Sequence, residues 1–264
     1  MLLMLCLTGL TQIGFAQQHP TKGKLATIGY LRGPITVENI TTFGPGFLGH
    51  DIRTVIASFP EPKTEFETTD QYQNRLDSFI AQHQQQYVFV NDPKEDNHED
   101  MGDFKYDADD EAIYRTIKLY SSGDDGRSIL LRSKLIDRGS YVGSNAFGVR
   151  KLVTKWDQTN YELSVTTKSE FFVNDDLYND FIWLIKIKVP MIASEAAAAK
   201  NYLRIALVCT LVGSDIVHTD TYRGATITDP TEVHLHDRGL PVVINKVLIF
   251  DSRTGHIQPT AKWN

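Results

Sequence analysis

The stretch Leu203–Val212, LRIALVCTLV, most constrains what this chain can fold into. It is a nearly continuous apolar run with no polar face, so it reads as a central strand buried on both sides. Strand-like segments that could flank it recur along the sequence. They are Leu25–Leu31, Ile35–Thr41, Tyr87–Val90, Phe104–Tyr106, Ala112–Tyr120, Ser128–Leu135, Phe147–Trp156, Tyr161–Thr167, Phe181–Val189 and Val242–Phe250. Turn-forming clusters separate them at Phe43–Gly49, Asp107–Asp110, Ser121–Gly126, Arg138-Gly139, Asp157–Asn160 and Asn174–Asp176. In Ala112–Tyr120, Ile113, Arg115, Ile117 and Leu119 fall on one side, giving only partial alternation.

Helix signals interrupt this pattern at three places. Asp51 can cap a helix whose Ile52, Val55, Ile56 and Phe59 follow the i, i+3, i+4, i+7 spacing. Pro60-Glu61-Pro62 stops it, because proline cannot continue the backbone ladder. Thr68 with Gln71 then makes a T-x-x-Q capping box. Tyr72, Leu76, Phe79, Ile80 and His83 follow on one helix face, predicting a surface helix docked on apolar surface and paired with 51–59. Ser194 is expected to cap a last short helix, Glu195–Lys200. The expected fold class is α+β: an antiparallel-dominated sheet or sandwich with two or three short helices, in one domain over 17–264.

Residues 1–16, MLLMLCLTGLTQIGFA, are uncharged and apolar, with small Gly14 and Ala16 placed for a cut before Gln17. They read as a secretory signal peptide, which implies a secreted or periplasmic mature chain. The cation that normally precedes such a run is missing, since the first is Lys22, so a start upstream of Met1 stays open. Thr8, Thr11 and Gln12 break the run short of the about 20 apolar residues a span requires, so no stable membrane anchor is expected. Without the signal, Cys209 is the single cysteine; it is read as a small core hydrophobe rather than a reactive thiol.

The formal charge of −6 argues against a nucleic-acid partner and against adhesion to an anionic membrane. Segment 91–111 alone holds ten Asp/Glu against Lys94 and Lys105, a balance of −8, so the remainder is slightly basic. Asp107 and Asp109 could begin a calcium loop. However, Ala112 stands where its glycine belongs and Lys118 where its bidentate Glu belongs, so a solvated acidic loop is expected instead. The best transition-metal pair is His234 and His236, which share a face if they lie in a strand; His218 and Asp220 could complete a site if the two segments are neighbours. The other reading of the pair is two half-exposed strand histidines. No third ligand is fixed by spacing, and no metal, cofactor or catalytic residue is assigned. The sequence also lacks G-x-S-x-G, H-E-x-x-H, C-x-x-C, P-loop and dinucleotide signatures.

Four phrases, P-x-P-K-x-E-F-E-T-T-x-x-Y-x-x-R (Pro60–Arg75), F-K-Y-D-A-D (Phe104–Asp109), Y-V-G-S-N-A-F-G (Tyr141–Gly148) and E-A-A-A-A-K (Glu195–Lys200), resemble segments of uncharacterised exported bacterial proteins. The resemblance implies an exported chain with a helix followed by a β-rich region, and it carries no catalytic residues. The expected function is an exported, non-catalytic binding or structural module with an unknown envelope or extracellular partner. The alternatives are an exported hydrolase acting on glycan or peptide through carboxylates, and a metal-binding protein using His234 and His236.

Overall fold

The computed structural model describes residues 24–25, 29–32, 42–84, 86–91, 104–122, 126–165, 172–174, 183–212 and 215–261. The signal-like segment 1–16, the expected strand Ile35–Thr41 and the acidic loop between 92 and 103 lie outside them. Numbered along the chain, the strands are β1 (Lys24–Leu25), β2 (Gly29–Leu31), β3 (Thr42–Phe43), β4 (Phe47–His50), β5 (Tyr87–Asn91), β6 (Lys105–Asp107), β7 (Ala112–Ser122) and β8 (Gly126–Ser144). They continue with β9 (Arg150–Val165), β10 (Phe172–Asn174), β11 (Trp183–Pro190), β12 (Leu203–Leu211), β13 (Val217–Arg223), β14 (Thr231–Asp251) and β15 (Ile257–Gln258). The helices are α1 (Ile52–Ser58), α2 (Thr69–Gln82) and α3 (Ala193–Ala199).

Thirteen of these strands form one sheet, ordered β10-β11-β7-β8-β9-β14-β12-β5-β4-β2, with β6 on β7 and with β13 and β15 on β14. Most pairs are antiparallel, but β9 runs parallel to β14 over twelve registered pairs, from Thr231↔Thr154 to Val242↔Val165. Among the described residues the chain is therefore β-rich with three short helices, as expected, but its large sheet is mixed rather than a two-sheet sandwich. The reason lies in strand length. β8, β9 and β14 span 19, 16 and 21 residues. Rather than breaking into two packed layers, they run on, and the sheet curls. Ile187 on β11 and Phe89 on β5, far apart along the strand order, share one core with Ile52 and Val55 of α1 and Leu76 of α2.

β12 is the central strand that its apolar run predicts. Ile205, Leu207, Cys209 and Leu211 enter the main core, while Ala206 and Val208 enter a second cluster on the opposite face. In that second cluster Phe43 stacks on Phe47 at 4.1 Å between ring centroids, and Phe250 meets Phe43 edge-on at 5.0 Å. Each large side chain so covered contributes about 1.5–3 kcal/mol. Burial also pushes the Cys209 thiol well above its ordinary pKa, so it is a packing residue. Arg115 shares the inward side of β7, as its spacing predicts; its Nη2 donates to Asn91 Oδ1 at 3.0 Å and its guanidinium lies over the Phe104 ring.

The helices follow their signals closely. Asp51 caps α1 by accepting from the Arg53 amide, and Thr68 and Gln71 complete the reciprocal capping box of α2. Phe59 at the end of α1 meets Phe79 of α2 at 4.7 Å, the apolar contact behind the expected pairing of the two helices. Arg75 pairs with Glu67 at 2.8 Å and donates to the Glu61 carbonyl, so it ties α2 to the proline brake before it. Ser194 is not the cap of α3: Ile192 holds the extended cap position without a side-chain bond, and Ser194 lies within the helix.

Two expected turns lie wholly within strands, and a third, Phe43–Gly49, is a turn only at 44–46 between β3 and β4. Asp157–Asn160 lies inside β9, whose polar side chains there face partly exposed sheet. Arg138-Gly139 is a bulge in β8, marked by the register shift between Asp137 and Ser140 and by Gly139 at φ 85°. A glycine there relieves a conformation that a side chain would strain, which is why the pair looks like a turn in sequence.

Candidate functional site

The long strands outrun the core, and the extension carries the site. In β14, His234, His236 and Arg238 sit at alternate positions and so share one face. β13 lies antiparallel beside it, with Tyr222 opposite His234, Asp220 opposite His236 and His218 opposite Arg238. On its other side β9 places Thr159 beside His236 and Tyr161 beside Arg238. α1 lies over this face. Between helix and sheet is an open cleft of about 460 Å³ lined by Arg53, Ile56, Ala57, Thr159, Tyr161, His218, His236 and Arg238. That volume is within the usual range for small-ligand sites.

The condition on which His218 and Asp220 could join His234 and His236, that the two segments are neighbours, is met, but the arrangement is not that of a metal centre. His236 Nδ1 lies 2.8 Å from Asp220 Oδ1, and because an ionised carboxylate only accepts, the imidazole donates. Arg238 Nη1 donates to the same oxygen at 3.1 Å. The His236 bond, and then Arg238, hold the Asp220 carboxyl below its usual pKa. His234 turns to the Tyr222 ring at 4.8 Å instead of joining His236. Among the described residues no group of three His, Cys, Asp or Glu side chains is placed to hold a metal ion.

The charge of the cleft has the opposite sign from a cation site. Arg53 donates two hydrogen bonds to Asp51, Nε to Oδ1 and Nη2 to Oδ2, each at 2.9 Å. Burial opposes ionisation of Asp51, yet the Arg53 side-chain and backbone bonds, with the charges of Arg53 and Arg132, outweigh it and keep its carboxyl low. The two guanidinium groups that line the cleft, Arg53 and Arg238, are thus each bonded to a carboxylate, Asp51 and Asp220, and neither carboxylate is among the lining residues. His218 and His236 add ring N–H donors. An anion entering here would meet N–H donors of Arg53, Arg238, His218 and His236 in a protein whose net charge is −6.

Sequence reasoning found His218, Asp220 and His236 but missed Arg53, Thr159 and Arg238. The period-2 run His234, His236, Arg238 was readable as one face. Thr159 was hidden by the turn reading of Asp157–Asn160.

The opposite face of the same strands carries a second polar group. Asn160 donates to Asp237 at 3.0 Å, Ser133 donates to Asn160 at 2.9 Å, and Gln158 bonds to both Ser133 and Asn160. Nearby, Glu162 is pushed above its ordinary pKa, first by burial and further by the charge of Asp237, against a bond from Ser128. Asp107 and Asp109, the start of the rejected calcium loop, lie in a tight turn in which Asp107 Oδ1 accepts from the Asp109 amide at 2.9 Å. No helix among the described residues is long and apolar enough to cross a membrane. The chain matches no family model, no curated protein and no solved structure.

Proposed function

We propose that this is an exported, non-catalytic binding module whose cleft beneath α1 takes a small anionic ligand bearing carboxylate, phosphate or sulfate. The observation that carries this reading is the basic lining of Arg53, Arg238, His218 and His236, with no carboxylate among the lining residues, in a cleft of small-molecule size. The planar guanidinium fork suits such oxyanions, and Ile56, Ala57 and the Tyr161 ring supply apolar walls for a ligand body. Export rests on the signal-like residues 1–16 and on the resemblance to exported bacterial proteins.

Isothermal titration of the mature chain with inorganic phosphate, sulfate and succinate tests the reading. Binding of at least one, weakened about tenfold or more in Arg238→Gln, is expected from loss of a charge-assisted contact. No heat from any of the three, or equal binding by Arg238→Gln, overturns it.

A second reading, an exported hydrolase working through carboxylates, has one observation in its favour. Glu162, whose carboxyl burial holds above its ordinary pKa as a general acid requires, feels the charge of Asp237 on the same sheet face. Glycan or peptide hydrolysis abolished by Glu162→Gln with folding intact would select it over the binding module.

A further inference from the structure

We propose that the tip of the β8–β9 hairpin docks reversibly on an anionic lipid surface. β14 begins at Thr231 opposite Thr154, so beyond that pair the hairpin is a bare two-stranded ribbon. It projects four residues a side, about 13 Å at ~3.3 Å per residue, before the apex. Its apolar side chains face water: Phe147 at the apex is 91% exposed, Val142 64%, Leu152 62% and Val149 46%. Val142 and Leu152 are register partners on one face, so they form a patch just below the apex.

Three features favour a lipid surface over another protein or a second copy. The first is charge. Between Asp137 and Asp157 the sequence holds Arg138, Arg150, Lys151 and Lys155 and no Asp or Glu. Arg138 and Lys155 are matched by Asp157 and Glu232 lower on the ribbon, while Arg150 and Lys151 flank the exposed apolar patch. Apolar side chains ringed by cations are what an anionic headgroup layer over hydrocarbon selects.

The second is backbone satisfaction. Asn145 Oδ1 accepts from the Phe147 and Val149 amides, its carbonyl accepts from Gly148, and its own amide donates to Val149. The apex can therefore leave water without exposing these amides to hydrocarbon. The third is rigidity at the base, where Tyr141 donates to Glu232 at 2.6 Å and Lys155 lies over the Tyr141 ring. The tip is held in an inserting geometry, so little ordering is required on docking.

The net charge of −6 does not oppose this docking. The balance of −8 within 91–111 outweighs the whole of it, and the ribbon has its own local field. Such docking is reversible and needs no spanning helix.

Co-sedimentation of the mature chain with vesicles of phosphatidylcholine alone, and with phosphatidylglycerol added at about 3 in 10, tests the proposal. Binding to the anionic vesicles only is expected. It should fall at least tenfold in Phe147→Ser/Leu152→Ser and in Arg150→Glu/Lys151→Glu, whose side chains are exposed and leave the fold intact. The cleft variant Arg238→Gln should bind vesicles like the parent, which separates this surface from the ligand cleft. No binding to anionic vesicles, or equal binding by the tip variants, overturns the proposal. So does a parent dimer that Phe147→Ser dissociates, which would assign the tip to contact between copies.

Discussion

Leu76→Ala tests whether α2 is an integral part of the core or a surface appendage. Leu76 is 2% exposed and is the buried residue of α2, whereas Phe79 and Ile80 of the same face are only partly covered. Truncation removes the transfer energy of the lost carbons and leaves a cavity, which across buried leucines costs about 2–5 kcal/mol. The half-covered neighbours Phe79 and Ile80 can shift into part of that space, which places the cost near the lower half, about 3 kcal/mol. For a chain of this size that is a fall in melting temperature of roughly 6–12 °C. Urea unfolding followed by circular dichroism should show the midpoint moving with an unchanged slope. Gln73→Ala, which loses only an exposed bond to Asp77, serves as control and should change stability by under about 0.5 kcal/mol. A Leu76→Ala variant within about 1 kcal/mol of the parent would show that α2 buries a different face.

Gly255→Ala should destabilise strongly, by about 3 kcal/mol or more, because a Cβ there would lie 1.9 Å from the Phe43 carbonyl oxygen at φ 75°. Thermal denaturation checks it, and a parent-like midpoint would place the β3 contact elsewhere. Stability should also fall on acidification. Asp51 is held low by Arg53 against its burial, and Asp251 is held low first by its Arg253 bond. A depressed carboxyl contributes fully above its unfolded pKa of about 4 and loses that contribution as pH falls through the lower folded value. Melting temperature should therefore be insensitive to these groups above about pH 5 and drop below about pH 4, less steeply in Asp251→Asn. Cys209 should resist a thiol reagent in the folded chain and react on unfolding, since it is fully buried with a raised pKa. Rapid labelling under native conditions would contradict that placement.

Local signals were the legible part of this fold. The capping box of Thr68 and Gln71, the proline stop after Phe59 and the apolar run of β12 each encode their structure within a few neighbouring residues. The long strands were harder to read because half of each lies beyond the core. There, Asp157, Gln158 and Asn160 need no apolar alternation, and Gly139 breaks the pattern at a bulge. The same blind spot hid the cleft, since Thr159 and Arg238 lie in these polar halves. His234-Leu235-His236 was visible, but its sign was misleading until the register placed Arg238 and Asp220 around it. The β9–β14 parallel pairing could not be read from sequence at all, because it joins residues 77 apart with no spacing rule to link them.

The cationic cleft is tested most directly by the imidazole proton resonances during titration with inorganic phosphate. His218 and His236 line the cleft, while His83 stacks on Phe79 in α2 and His256 lies at the turn before β15. Saturable shifts confined to His218 and His236, and lost in Arg238→Gln, are the predicted result. Resonances of His218 and His236 that stay fixed, or move no more than those of His83 and His256, would contradict an anion site beneath α1.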